Sequence, residues 1–442
     1  MTETRGVLAT GLRFAAILVA AFAVFAADLN TADAQRNRDQ EQTSRGSKTI
    51  SLKIQNDVIE VQELLEARRN QEAIAKLRSM DSMAEMPKYD QAVIWQSYGY
   101  IYAGTDKYSE AAVAFERMVQ IGAEELQPQV LLDALYYIAQ LYISTEQFKK
   151  GISYLSRWFQ QAENPNPDAY VLMGHALVAQ EPPKYHEAIP WIVKAIDRSK
   201  QQGNVPKENW YQLLRGLYFE TEQIPKAVEV LEILVDLYPK KEYWMQLSAG
   251  YGFLEREKDQ FTALEAAYRM NLFTKSDEFE ELAQRYMYHG IPYRAAMVLE
   301  DGFKQGTLEK DKDNLELIAN AYYTAQELDR AIPWYQQAAK AADKADIFVL
   351  LGQIYMQRQE WSKAVSTFAD AIEKNKRVGK KKKLSNPGNV HLMMGVANFN
   401  QKKYRSARAA FRTARGYNKT KKDAGMWLTH LEREIEREQQ LN

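Results

Sequence analysis

Few residues in this sequence are of a type that does chemistry, and their spacing is not that of a reaction centre. There are five histidines, His175, His186, His289, His391 and His430, and no cysteine. Structural zinc needs histidine or cysteine ligands at short fixed spacings, and a zinc protease needs two histidines four apart on one helix. Neither spacing occurs, so His175 and His186 read as surface or packing residues. There is no glycine-rich phosphate loop, no GxSxG and no HExxH. The sequence therefore predicts no catalytic residue, no metal, no cofactor and no enzyme.

What recurs instead is the chemistry of binding. Uncharged residues return at regular intervals: Tyr100, Gln140, His175, Gly216, Ala249, Gln284, Asn320, Gln353 and Val396. Gln140 and His175 form one polar run; Gln284, Asn320 and Gln353 form another beyond a smooth centre. An amide both donates and accepts, so a ladder of amides suits an extended peptide backbone of any sequence. Tyr136, Gln212, Phe219 and Tyr323 stand beside these positions and offer further contact surface. No lysine or arginine falls in the ladder, so a clamp for a terminal carboxylate is absent. An internal segment of a partner is the expected occupant.

The elements that must carry these residues are helices. A large apolar residue, a small one four positions later and an aromatic three further on recur about every 35–40 residues from Trp95 to Ala414. Alanine and a bulky residue then follow in a second helix. The clearest copy is Trp95, Gly99, Tyr102, Ala111 and Phe115. The small position is Gly99, Ala139, Gly174, Ser248, Ala283, Ala319, Gly352 and Gly395. The aromatic is Tyr102, Tyr142, Tyr251, Tyr286, Tyr322 and Tyr355. This is the tetratricopeptide-repeat (TPR) pattern. It implies an all-α TPR solenoid, a right-handed superhelix of about nine antiparallel helix pairs with capping helices at both ends. The resemblance implies that the first helix of each pair lines the concave face, with the residue after the small position pointing into it.

The departures are local. Arg215 occupies the small position of the fourth copy, Gln260 replaces the close-contact alanine of the fifth, and Asn398 replaces the aromatic of the ninth. The third copy carries two extra residues around Pro182 and Pro183. Shifts of packing are expected there, not breaks. Pro225 and Pro292 start second helices and Pro190 and Pro333 lie in their first turns, where a missing N–H costs least. The remaining prolines are expected between helices.

Composition narrows the setting. The 58 basic and 58 acidic residues cancel, so the chain as a whole does not read as a nucleic-acid binder. Arg5 and Arg13 followed by the apolar stretch Phe14 to Ala27 resemble a secretory signal, with Ala32-Asp33-Ala34 as its cleavage site. That stretch is shorter than the about 20 residues needed to span a bilayer. A signal without any cysteine implies neither disulfides nor acylation, and so a soluble periplasmic protein. Expected divisions are a signal peptide at 1–34, a polar leader at 35–50, a capping helix pair at 51–90, nine repeats at 91–420 and a capping helix at 421–442. Ile54, Val58, Val61, Leu64 and Leu65 form the apolar face of the first cap. Trp427, Leu428, Leu431 and Ile435 form that of the last. The run Lys374, Lys376, Arg377 and Lys380, Lys381, Lys382, Lys383 reads as a solvated basic loop able to touch an anionic surface.

Three further stretches narrow the resemblance. Gly290-Ile291-Pro292-Tyr293-Arg294-Ala295-Ala296 with Leu299-Glu300, Trp244-Met245-Gln246-Leu247 and Asn386-Pro387-Gly388-Asn389-Val390-His391 look like periplasmic TPR proteins that accompany TonB–ExbB–ExbD energy-transduction systems. The resemblance covers roughly residues 90–430 and implies an accessory, non-enzymatic scaffold binding TonB-, ExbB- or ExbD-type periplasmic segments. The alternative is a cell-envelope assembly adaptor serving peptidoglycan synthesis, division or polysaccharide export. The resemblance transfers no binding residue.

Overall fold

The computed structural model describes residues 50–83, 85–377, 379 and 383–441. The expected signal peptide, the leader up to residue 49 and Lys380, Lys381 and Lys382 lie outside the described residues. Within them the secondary structure is entirely helical: twenty-one α-helices and no strand. A first pair, α1 (Leu52–Glu66) and α2 (Asn70–Asp81), precedes nine more. These begin with α3 (Lys88–Gly104) and α4 (Tyr108–Gly122), α5 (Pro128–Ser144) and α6 (Phe148–Gln161), and α7 (Pro167–Ala179) and α8 (Tyr185–Gln201). Next come α9 (Glu208–Glu220) and α10 (Ile224–Leu237), α11 (Lys241–Phe253) and α12 (Glu257–Arg269), and α13 (Ser276–Tyr288) and α14 (Pro292–Gln305). The last three are α15 (Lys312–Thr324) and α16 (Leu328–Ala341), α17 (Asp346–Gln357) and α18 (Trp361–Arg377), and α19 (Pro387–Asn400) and α20 (Tyr404–Arg415). Helix α21 (Lys421–Leu441) closes the series.

The sequence pattern treats the chain as one continuous stack, whereas the described residues divide into two compact units at Tyr238 and Pro239. Where each pair contacts only its neighbours, a stack can part at any junction. Helices α1–α10 belong to the first unit and α11–α21 to the second.

Inside each pair, small against large sets the helix approach. A Cβ added to Gly99 would lie 2.7 Å from the Phe115 ring. Gly352 is equally tight beneath Phe368, Gly395 beneath Phe411 and Gly174 beneath Ile192. Ala111, Ala188, Ala227, Ala295, Ala331, Ala364 and Ala407, on the facing helices, are fully buried. The fifth repeat reverses the arrangement. Ser248 donates to the Gln260 carbonyl at 3.2 Å, and the Gln260 amide lies over Gly252, 2.8 Å from where a Cβ would stand. Room made at Gly252 explains how a glutamine replaces the alanine.

The turns within the pairs share one device that the composition conceals. Asp106, Glu146, Glu222, Glu255, Gln326, Gln359 and Lys402 all take a left-handed φ of 56° to 61°, although glycine is the usual occupant. Each backbone is held by a six-to-one bond, such as Lys107 N–H to the Tyr102 carbonyl at 2.8 Å. Only Gly290 places a glycine there. Prolines depart from expectation in a simpler way. Pro128, Pro167 and Pro387 are the first residues of α5, α7 and α19 and do not stand between helices, because the first helical N–H has no partner to lose.

Successive pairs are tied by the recurrent tyrosine. The Tyr142 hydroxyl donates to Glu116 of the preceding pair at 2.5 Å, and Tyr154 donates to the other oxygen of that carboxylate at 2.6 Å. Glu116 immediately follows the bulky Phe115. The same place after Tyr335 is Gln336, whose amide donates to the Tyr355 hydroxyl at 2.8 Å. Glu265 and Glu300 hold it for Tyr286 and Tyr322; burial first, then these carboxylates, push both hydroxyls up. Where the aromatic is missing, at Leu177 and Asn398, the residue in that place is Ser156 or Ala369. Tyr218 is an exception, with Val193 in the acceptor's place.

The ends are closed as the apolar faces predict. Ile54, Val58, Val61, Ala73, Leu77 and Met80 pack onto Val93, Ile94, Tyr98 and Ile101. Trp427, Leu428, Leu431 and Ile435 cover Ala407 and Phe411.

Because Glu116 serves two hydroxyls, Tyr142→Phe and Tyr154→Phe should each cost about 1–2 kcal/mol of stability, a charged hydrogen bond's worth. Together they should cost more than the sum, since only the double variant strands the carboxylate. Urea midpoints of the four proteins measure this; strict additivity would show that the hydroxyls act independently.

Candidate functional site

In the first unit the expected site residues lie on α3, α5, α7 and α9, the leading helices of four consecutive pairs. Asn166 caps α7, accepting from the Ala169 amide at 2.8 Å. Lys207, before α9, reaches Asp168 in the first turn of α7 at 2.7 Å. These contacts fix the register of the helix that carries His175. Tyr100 and Tyr136 are half-buried. Burial pushes both hydroxyls up to about 12, while the amides of Gln96 and Gln140 oppose that shift from the same helix. Burial also pushes the His175 imidazole below its ordinary value of 6.5, which leaves it neutral near pH 7. Gln212 is exposed and donates to Glu208 at 3.4 Å. Phe219 is exposed at 36%.

The structure adds a feature that the ladder positions did not contain. Tyr136 meets Trp158 with ring centroids 4.9 Å apart, and Trp158 meets Phe159 at 5.0 Å. Phe159 lies 4.9 Å from both Tyr170 and Trp191. Lys194 stands over the Trp191 ring at 5.1 Å. Four of these five rings, all but Trp158, are only half-buried. The result is a continuous aromatic shelf across α5, α6, α7 and α8, with Gln140 near Tyr136 at one end and His175 on the same helix as Tyr170. A signal existed in the adjacent Trp158-Phe159 and in Trp191 next to the bulky Ile192. These fall on second helices, where aromatics read as core.

In the second unit Gln284, Asn320, Tyr323 and Gln353 lie on α13, α15 and α17. Buried Glu278 anchors the start of α13. It accepts from the amides of Thr274 and Lys275 at 2.7 and 2.9 Å and from Lys241 at 2.6 Å. Burial works to raise this carboxyl, but the Lys241 ammonium and the two amides outweigh it and hold it below 4.5. The Asn314 side chain ties α15 to α13, donating to Glu280 at 3.2 Å. The amides themselves diverge in role. Gln284 is exposed. Asn320 accepts from Tyr335 at 2.5 Å, and Tyr335 in turn meets Tyr323 edge-on at 6.3 Å. Gln353 donates to the Met393 sulfur at 3.5 Å. Two of the three expected rungs therefore have intramolecular partners.

Among the described residues no group of three or more histidine, aspartate or glutamate side chains is arranged to hold a metal ion. The arrangement is one of rings, amides and a neutral imidazole.

The tetratricopeptide-repeat family model matches residues 316–378, the helices α15 to α18. No curated protein sequence matches the chain. Among solved structures, the chain is similar to MamA at 18% identity, covering 39% of this chain and 89% of that one with a TM-score of 0.31. It is similar to YrrB, a TPR protein with an unusual peptide-binding site, at 12% identity over 40% and 84% of the two chains, TM-score 0.31. It is also similar to the Cut9–Hcn1 hetero-tetramer of the APC/C at 13% identity over 85% and 83%, TM-score 0.27. With its succession of helix pairs, the fold is an all-α tetratricopeptide-repeat solenoid.

The His175 environment sets a pH dependence. A folded pKa below 6.5 means that the folded chain binds fewer protons than the unfolded one, so stability falls as pH drops below 6.5. His175→Gln should lose less melting temperature between pH 7.5 and 5.5 than the parent. Parallel losses would show that this imidazole is not set by burial.

Proposed function

We propose that this protein is a non-enzymatic scaffold that captures an extended, internal segment of a protein partner in the periplasm. The aromatic shelf of the first unit carries the reading. Half-buried tyrosine and tryptophan bury large area at low entropic cost, and such residues dominate binding energy at interfaces. Gln140 near Tyr136, and neutral His175 on the helix that carries Tyr170, supply donors and acceptors for a peptide backbone without committing to a charge. Exposed Gln284 offers the second unit's simplest polar contact.

The setting rests on the sequence. The apolar stretch Phe14 to Ala27 with Ala34 at its cleavage site supports export. The Gly290–Ala296, Trp244–Leu247 and Asn386–His391 stretches support an accessory role in TonB-dependent energy transduction. The partner would then be a periplasmic segment of a TonB-, ExbB- or ExbD-type protein.

Affinity capture from periplasm and solubilised inner membrane, with the chain starting at Gln35, should recover TonB, ExbB or ExbD. Tyr170→Ala with Trp191→Ala should reduce that recovery at least tenfold, as loss of hot-spot rings does. Recovery of wall-synthesis or polysaccharide-export machinery would instead favour the envelope-assembly reading. Undiminished capture by a folded double variant would remove the shelf from the interface.

A further inference from the structure

The net charge of zero conceals a strong segregation. From Lys374 to Lys422 there are sixteen lysine and arginine residues and no aspartate or glutamate. Part of this charge is answered at its borders: Arg377 by Glu373 at 2.9 Å, Arg408 by Glu432 at 2.6 Å and Lys402 by Glu438 at 3.0 Å. Lys374, Lys376 and Arg377 also complement the C-terminal dipole of α18.

The remainder is not explained by packing. The turn between α20 and α21 lies against the segment that leads into α19. Tyr417 stacks on His391 with centroids 6.1 Å apart, and a Cβ at Gly388 would stand 2.7 Å from that of Tyr417. Lys419 donates to the Ser385 carbonyl at 3.5 Å. This packing brings Lys419 to the segment just after Lys383, and Arg415, Lys421 and Lys422 flank Lys419 in the same turn; all five are exposed. Lys421 and Lys422 occupy the first turn of α21 together with Asp423, a surplus of cations where the helix dipole disfavours them. A local rule broken without structural gain points to function.

Two apolar groups stand out among these cations. Tyr417 is 39% exposed, and Met426, one turn beyond Lys422 on the same side of α21, is 57% exposed. We infer that this edge of the second unit docks on an anionic phospholipid surface, with the lysines at the headgroup phosphates and Tyr417 and Met426 at the interfacial level. Clustered lysines attract such a surface without a shaped pocket, and tyrosine prefers the headgroup layer. Among the described residues no helix is long and apolar enough to cross a membrane, so the contact is peripheral.

The test is co-sedimentation of the full chain with vesicles of phosphatidylcholine alone, or with about a third phosphatidylglycerol, at low and physiological salt. Binding should require the anionic lipid and weaken with salt. Replacing Lys419, Lys421 and Lys422 by glutamine should reduce it at least tenfold, at about a kcal/mol per charge. Met426→Gln, an exposed change, should weaken it severalfold, and circular dichroism confirms that both variants are folded. Equal binding to both vesicle types, no binding to either, or tighter salt-sensitive binding to duplex DNA or a poly-glutamate peptide would each overturn the inference. Partner capture through the aromatic shelf stands or falls separately.

Discussion

The structure depends on how closely two helices of one pair approach. That distance is set where Gly99 lies beneath Phe115, Gly352 beneath Phe368 and Gly395 beneath Phe411. A ring can fill this space only when the opposite helix offers no side chain. Beyond Gly352, the tyrosine three residues further along, Tyr355, is within reach of Gln336 of the preceding pair. A Cβ at any of these glycines would force the ring out, and at Gly352 it would also disturb the Gln336–Tyr355 contact that joins one pair to the next.

Cohesion between pairs then has two parts, apolar and polar. Phe279, Tyr286, Leu299, Tyr322 and Phe368 belong to one buried cluster that runs through several pairs of the second unit. The polar part includes, at some junctions, a hydrogen bond between a tyrosine hydroxyl and the residue after the bulky one, as at Glu116 and Gln336. Each is modest by itself, but it is directional and fixes how one pair is rotated on the next.

Most of this was legible in the sequence because it depends on residue size at fixed intervals. Gly99, Ala139 and Gly174 announce the helix approach, and Ile54 or Trp427 announce the caps. The left-handed turns were not legible, because Asp106, Glu222 and Lys402 occupy a conformation usually signalled by glycine. The Glu116 contact was hidden too, since a glutamate on a helix normally reads as a solvated face. The ladder positions include Gln140 and His175, with Tyr136 named beside them. They missed Trp158, Phe159 and Trp191, whose second-helix positions suggest core packing until the half-exposed rings are seen together. The inverse holds for Asn320 and Gln353, whose amides turn to Tyr335 and Met393.

The two proposals rest on separate parts of the chain: the linked rings of the first unit, and the cations near Tyr417 in the last repeat. The most direct test of the account places a photo-reactive residue at Tyr170 in the full chain, with a second at exposed Val113 on α4 as the comparison. Cross-linking of a captured partner protein from position 170 and not from 113 is the predicted result. Partner cross-links at 113 with none at 170 would contradict the assignment of the aromatic shelf as the recognition surface.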